Sequence, residues 1–176
     1  MVAIMDNKFF EKSKEFFENG DLINSIEYYE KAIPYIDKKE KASYIQFLKK
    51  ILEYCREKDL QEEEAVVLRC LGRTHSVFKH SFESLKYHEE SLRIQRKLGK
   101  KTNLAEGLVF LAEDLEVSGN YKKCLKIYND AAEIFHELGK LRKEKDIKKE
   151  ISRLDAFSKE MVEDEYIMNK FHVDKY

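Results

Sequence analysis

Residues 65–104 read AVVLRCLGRTHSVFKHSFESLKYHEESLRIQRKLGKKTNL, and residues 105–144 read AEGLVFLAEDLEVSGNYKKCLKIYNDAAEIFHELGKLRKE. Laid on one another, they bring together Ala65 and Ala105, Leu68 and Leu108, Leu71 and Leu111, Val77 and Val117, Leu85 and Leu125, Lys86 and Lys126, and Ile94 and Ile134. Leu98-Gly99-Lys100 returns as Leu138-Gly139-Lys140, and Leu71-Gly72 returns as Leu111-Ala112, so the period is 111 − 71 = 40 residues. Most of the preserved positions are apolar or small, at helical spacing. A period of this size that keeps only its packing positions is the pattern of helical pairs stacked in a solenoid, each pair burying its apolar face on the next. The expected fold class is all-α, an antiparallel helical-hairpin solenoid.

The bulk properties agree. With 176 residues the chain suits one such solenoid, and one Pro with 6 Gly against 38% charged residues suits helices joined by short turns. A formal net charge of −1 gives no global attraction to polyanions. Three cysteines, Cys55, Cys70 and Cys124, fit a reducing compartment better than a disulfide framework. Asp6 and Lys8 interrupt the apolar start from Met1 to Met5 before a signal-peptide core forms, and Leu108 to Ala112 is too short to span a bilayer. A cytoplasmic protein without membrane association is expected.

Taken in order, Phe9, Phe16 and Phe17 put aromatic bulk on one helical face, and Asn19-Gly20-Asp21 ends it as a cap and turn. Ile26, Tyr29, Ala32 and Ile33 give a second helix one apolar face until Pro34 disturbs it. The stretch from Gly20-Asp21-Leu22 to Pro34 resembles the second helix of a tetratricopeptide repeat, with Ser25, Tyr29 and Ala32 at the small, aromatic and small places. Leu111-Ala112, Leu115, Gly119, Tyr121, Cys124, Tyr128 and Ala131 meet almost the whole pattern of that family. The repeat before it matches more loosely, with Leu71-Gly72, His75, Ser84, His88 and Ser91, and Lys79 stands where the family has its turn glycine. The 40-residue pitch is similar to the long-helix subgroup found in kinesin light chains and Leu-Gly-Asn-type scaffolds.

The resemblance implies a right-handed superhelix of about seven to eight helices in a single domain. Its parts are a repeat at 6–38, an irregular repeat at 39–64, repeats at 65–104 and 105–144, and a capping helix and tail at 145–176. One element sits awkwardly. Ile45, Leu48, Ile51, Leu52 and Tyr54 make residues 39–60 a second helix by the 40-residue count, yet the preceding segment also reads as a second helix, so one first helix is missing. At the far end, Ile147, Ile151, Leu154, Phe157 and Met161 give a charged helix from about 141 to about 169 one buried face. Met161, Ile167, Met168 and Phe171 are expected either to fold back on the body or to dock onto a second copy.

Catalysis finds no support. There is no Gly-rich phosphate loop, and Cys70 lacks an evident base. His75, His80, His88 and Cys70 form the one local set of metal-ligating types, but their spacings cross a turn and do not share one helical face. No metal, cofactor or enzymatic role is expected. Lys140, Arg142, Lys143, Lys145, Lys148 and Lys149 are interrupted by Glu144, Asp146 and Glu150, which disfavours nucleic acid as a partner.

The groove of the repeat, transferred by resemblance, falls on Val66, Arg69, Cys70, Arg73 and Val77 of one first helix and Glu106, Val109, Phe110, Glu113 and Val117 of the next. Arg69 and Arg73 lie one turn apart, placed either to pair with acidic groups of a partner or with Glu106 or Glu113 within the chain. The lysine and asparagine set with which some relatives clamp C-terminal carboxylates is absent, since Phe10 stands at its first-repeat lysine place. The expected function is a non-catalytic module that binds a peptide or helix of a partner protein. Self-assembly through residues 141–176 is the competing expectation.

Overall fold

The protein is described by a computed structural model that gives the backbone of residues 3–173 and the side chains of residues 8–160. Among the described residues there are eight α-helices and no strand: α1 (Ala3–Glu18), α2 (Leu22–Ala32), α3 (Lys41–Glu57), α4 (Gln61–Val77), α5 (Ser81–Lys97), α6 (Lys101–Val117), α7 (Tyr121–Glu137) and α8 (Leu141–Val173). Two short 3-10 turns, Ile33–Tyr35 and Lys38–Glu40, join α2 to α3.

Helices α3 to α7 each have 17 residues, and they begin at Lys41, Gln61, Ser81, Lys101 and Tyr121, a step of 61 − 41 = 20 residues throughout. The turn between them sets this regularity. After each helix one residue adopts a left-handed backbone: Asp59, Lys79, Gly99, Gly119 and Gly139. The next N–H then reaches back five residues, as in Leu60 to the Cys55 carbonyl at 2.9 Å and His80 to the His75 carbonyl at 2.9 Å. This double hydrogen-bonded ending satisfies helix carbonyls that would otherwise be orphaned. The residue that closes one helix also opens the next. Leu60, His80, Lys100 and Asn120 are the N-cap residues of α4 to α7, so the chain reverses within three residues and antiparallel packing follows.

Close pairs form between α1 and α2, α4 and α5, α6 and α7, and α7 and α8. Small residues let the backbones approach. Ser13 and Ser25 are both fully buried and exchange hydrogen bonds with one another's carbonyls at 2.7 and 2.8 Å. Ala112, Cys124 and Ala131 are likewise fully buried between α6 and α7, with Tyr128 filling the space beside them. At Gly72 a Cβ would stand 2.7 Å from the His88 ring, so α4 and α5 touch through a glycine.

The helix that seemed to be missing is α2. Counting back one period from Glu62 in α4 gives 62 − 40 = 22, the first residue of α2, and α2 packs beside α4 as α4 packs beside α6. Pro34 truncates this helix and converts its last turn into 3-10 geometry, because it cannot donate the next helical hydrogen bond. Helices α2, α4, α6 and α8 thereby form one wall of the solenoid. On the other side Phe10 and Phe17 of α1 pack against Tyr44, Phe47 and Tyr54 of α3, and Arg56 of α3 bonds Glu90 of α5.

Two apolar cores result. One runs from Phe10 through Tyr29, Tyr44, Leu48, Ile51 and Leu68 to Leu71, and the other from Leu92 through Leu111, Phe135 and Ile147 to Leu154. Between them lies α5, whose buried residues are Ser84, His88, Ser91, Leu92 and Gln95. This polar helix is held by specific bonds, Ser91 to the Ala65 carbonyl at 2.6 Å and His88 to Asp114 at 2.6 Å.

Helix α8 runs unbroken from Leu141 to Val173. Ile147 and Leu154 are buried, and Phe157 meets the ring of Tyr121 edge-on at 5.4 Å. The expected docking of Met161, Ile167, Met168 and Phe171 concerns side chains outside the described residues.

Candidate functional site: the groove of the inner wall

Five helices converge on one open groove of about 490 Å³. It contains Arg69 and Arg73 of α4, and Glu106, Val109, Phe110 and Glu113 of α6. To these the fold adds Glu30 of α2, Phe135 of α7, and Lys143, Asp146 and Ile147 of α8. The period brings them together: 106 + 40 = 146 places Asp146 of α8 where Glu106 stands in α6. Extending the groove positions by one further period would have found it from sequence. Glu30 likewise stands one period before the groove position Cys70 (70 − 40 = 30), whereas Phe135 and Lys143 carried no comparable signal.

Four of the ten transferred positions lie elsewhere. Val66 and Val77 pack at the edge of the first core, and Cys70 is fully buried within it. Val117 is 71% exposed at the end of α6, outside the groove. Val66, Val77 and Val117 keep the angular face of the groove but stand about a turn beyond its ends along their helices, whereas Cys70, about 100° round the helix from Arg69, turns into the core.

The two arginines have partners within the chain. Arg69, only 7% exposed, donates to Glu30 at 2.6 Å, and Arg73 lies 3.7 Å from Glu113. Both guanidiniums also cover the ring of Phe110, with Cζ at 4.9 Å for Arg69 and 4.2 Å for Arg73 from its centroid. An aromatic face attracts such cations by about 0.5–1 kcal/mol each at partly exposed sites. Glu106 is paired with Lys143. The internal pairing of Arg73 is therefore with Glu113, whereas Arg69 turns to a carboxylate of α2.

Burial raises the carboxyl pKa of Glu113 above its ordinary value, and the nearby guanidinium of Arg73 opposes this. Burial likewise pushes the thiols of Cys55 and Cys124 up to about 11, so neither is a thiolate at neutral pH. What the groove offers is a partly open apolar surface, Val109 and Phe110, rimmed by the charges of Arg73, Glu113, Lys143 and Asp146. That arrangement suits non-covalent contact with a chain of mixed apolar and charged character. No helix among the described residues is long and apolar enough to cross a membrane.

No family model matches the chain, and no curated protein matches it. Among solved structures it is similar to a signal transduction ATPase with numerous domains from Pyrococcus horikoshii that has a tetratricopeptide repeat sensor. The TM-score is 0.57 and the identity 17% over 84% of this chain, which spans 26% of that longer one. A putative kinesin light chain from Podosopora anserina, with nearly identical tetratricopeptide-like repeats, gives a TM-score of 0.46 and 10% identity, covering 90% of this chain and 98% of that one. Likeness at such identity concerns architecture, and the architecture of this chain is a tetratricopeptide-like helical repeat.

Proposed function

We propose that the chain is a non-catalytic interaction module that holds a peptide segment or helix of a partner protein in the groove of its inner wall. The observation that supports this reading is the groove itself, lined by five helices and floored by half-buried Val109 and Phe110 beside the buried Phe135 and Ile147. A ring already braced by two guanidiniums is a preorganised apolar anchor, and such anchors dominate interface energies. Arg69 acts by holding Phe110 and bonding Glu30, while Arg73, Lys143 and Glu113 meet the partner's charges at the rim. The Arg73–Glu113 pair is long at 3.7 Å and only partly buried, so a partner's carboxylate can replace Glu113 on Arg73.

A photo-crosslinking side chain at Val109, with a second at exposed Lys126 of α7 as control, tests the site. The proposal expects adducts to a partner protein from position 109 and none from position 126. Adducts between two copies of the chain would support self-assembly instead, and no adduct at 109 alongside adducts at 126 would remove the groove as the site.

A further inference from the structure

The turn between α4 and α5 carries a second cluster that shares no residue with the groove. His75 at the end of α4, His80 in the turn and Glu83 in the first turn of α5 each offer one ligand atom, and these atoms lie within 4.8 Å of one another. On one continuous helix, residues five apart diverge. Here the left-handed residue Lys79 reverses the chain between them and brings them to the same side. His75 is 7% exposed, and both of its ring nitrogens are buried without a hydrogen-bond partner. An imidazole in that condition wants an occupant, because an unpaired buried polar group costs as much as a lost hydrogen bond.

The geometry points to a divalent transition-metal site of the zinc class, made by His75, His80 and Glu83. Two imidazoles and a carboxylate are a known zinc ligand chemistry, and ligand distances of about 2.1 Å put the ligand atoms about 3.4 Å apart in a tetrahedron. The exposed side chain of Glu83 supplies the closing movement. A cation already occupies part of the place. The Lys41 ammonium lies 2.9 Å from His80 Nε2 and, being a donor only, takes the lone pair of that nitrogen. Burial first, then His80 and the ammonium groups of Lys41 and Lys49, lower the pKa of His75 below its ordinary value, and Glu83 opposes this. Tyr87 stacks on the His75 ring at 5.3 Å and fixes its orientation. Metal binding would clamp the α4–α5 turn, and it competes with Lys41 for His80.

The test titrates metal-free full-length protein with Zn²⁺ by calorimetry and with Co²⁺ by visible absorption. The wild type is expected to bind one ion per chain and to melt at a higher temperature when it is bound. His80→Ala and Glu83→Gln, at positions that are not buried, should each weaken binding by about ten-fold or more, and Lys41→Gln should strengthen it. His136→Ala, at a distant exposed histidine, should change nothing. Absence of binding to the wild type, or equal affinity in the His80 and Glu83 variants, overturns the assignment, even if His75→Ala fails to fold.

Discussion

At Gly72 the missing side chain decides how α4 meets α5. A Cβ there would lie 2.7 Å from the His88 ring, which is fully buried and tied to Asp114 at 2.6 Å, so the ring has nowhere to move. Gly72→Ala gains helix propensity of about 1 kcal/mol, but overpacking costs about 1–3 kcal/mol and should outweigh it, leaving a net loss of up to about 2 kcal/mol. Urea unfolding measures this, and an unchanged or raised midpoint would refute it. At Lys79 the same reasoning has the opposite sign. Its left-handed backbone, φ 59°, is one that L-residues adopt at a cost and glycine adopts freely. Lys79→Gly should therefore stabilise by about 1 kcal/mol, seen as a higher midpoint in the same experiment. From sequence alone Lys79 looked like a break in the repeat, yet the turn keeps its form and the residue bears the strain. The convergence of His75 and His80 was hidden for a related reason, since spacing rules assume one helix face and the turn supplies another.

Among the elements, α4 to α7 were legible because their apolar and small positions repeat every 40 residues, and the structure keeps that count. Helix α2 was harder to place. Its Ser25, Tyr29 and Ala32 carry the second-helix pattern, and its buried serine does meet Ser13 of α1, but its place beside α4 belongs to a first helix. Local pattern and position in the stack conflict there, and only tertiary packing resolves them. The junction of α7 with α8 adds a pH effect. Glu144 is held below its usual carboxylate range chiefly by hydrogen bonding to Lys148, then by His136. A carboxylate whose folded pKa is depressed contributes stability above its unfolded pKa of about 4.3, and loses it as pH falls through the folded value. Glu144→Gln should lower the melting temperature at neutral pH, and the difference should shrink as the pH falls below the ordinary carboxylate value of about 4.3. A difference that persists or grows in acid would contradict this origin.

For the molecule as a whole, the two apolar cores meet across the polar layer of α5. Solenoids lose structure by neighbouring units, so a defect in one core should be felt less in the other. Ala112→Leu, which overpacks the fully buried contact with α7, should accelerate amide exchange in α6 to α8 and spare α1 to α3. Uniform loss of protection through all eight helices would instead indicate one cooperative unit. The wall of α4 and α6 was readable as a surface because the repeat fixes which positions face it, while the pairing of Arg69 with Glu30 was not, since Glu30 lies on α2, whose local pattern is that of a second helix and not of this wall. The central claim is that this wall receives a partner chain on Phe110. It is tested most directly by measuring the affinity of the crosslinked partner for the wild type and for Phe110→Ala, with circular dichroism to confirm that both are folded. The account predicts a loss of more than about 1 kcal/mol in binding, roughly five-fold or greater, and equal affinity in the folded variant would contradict it.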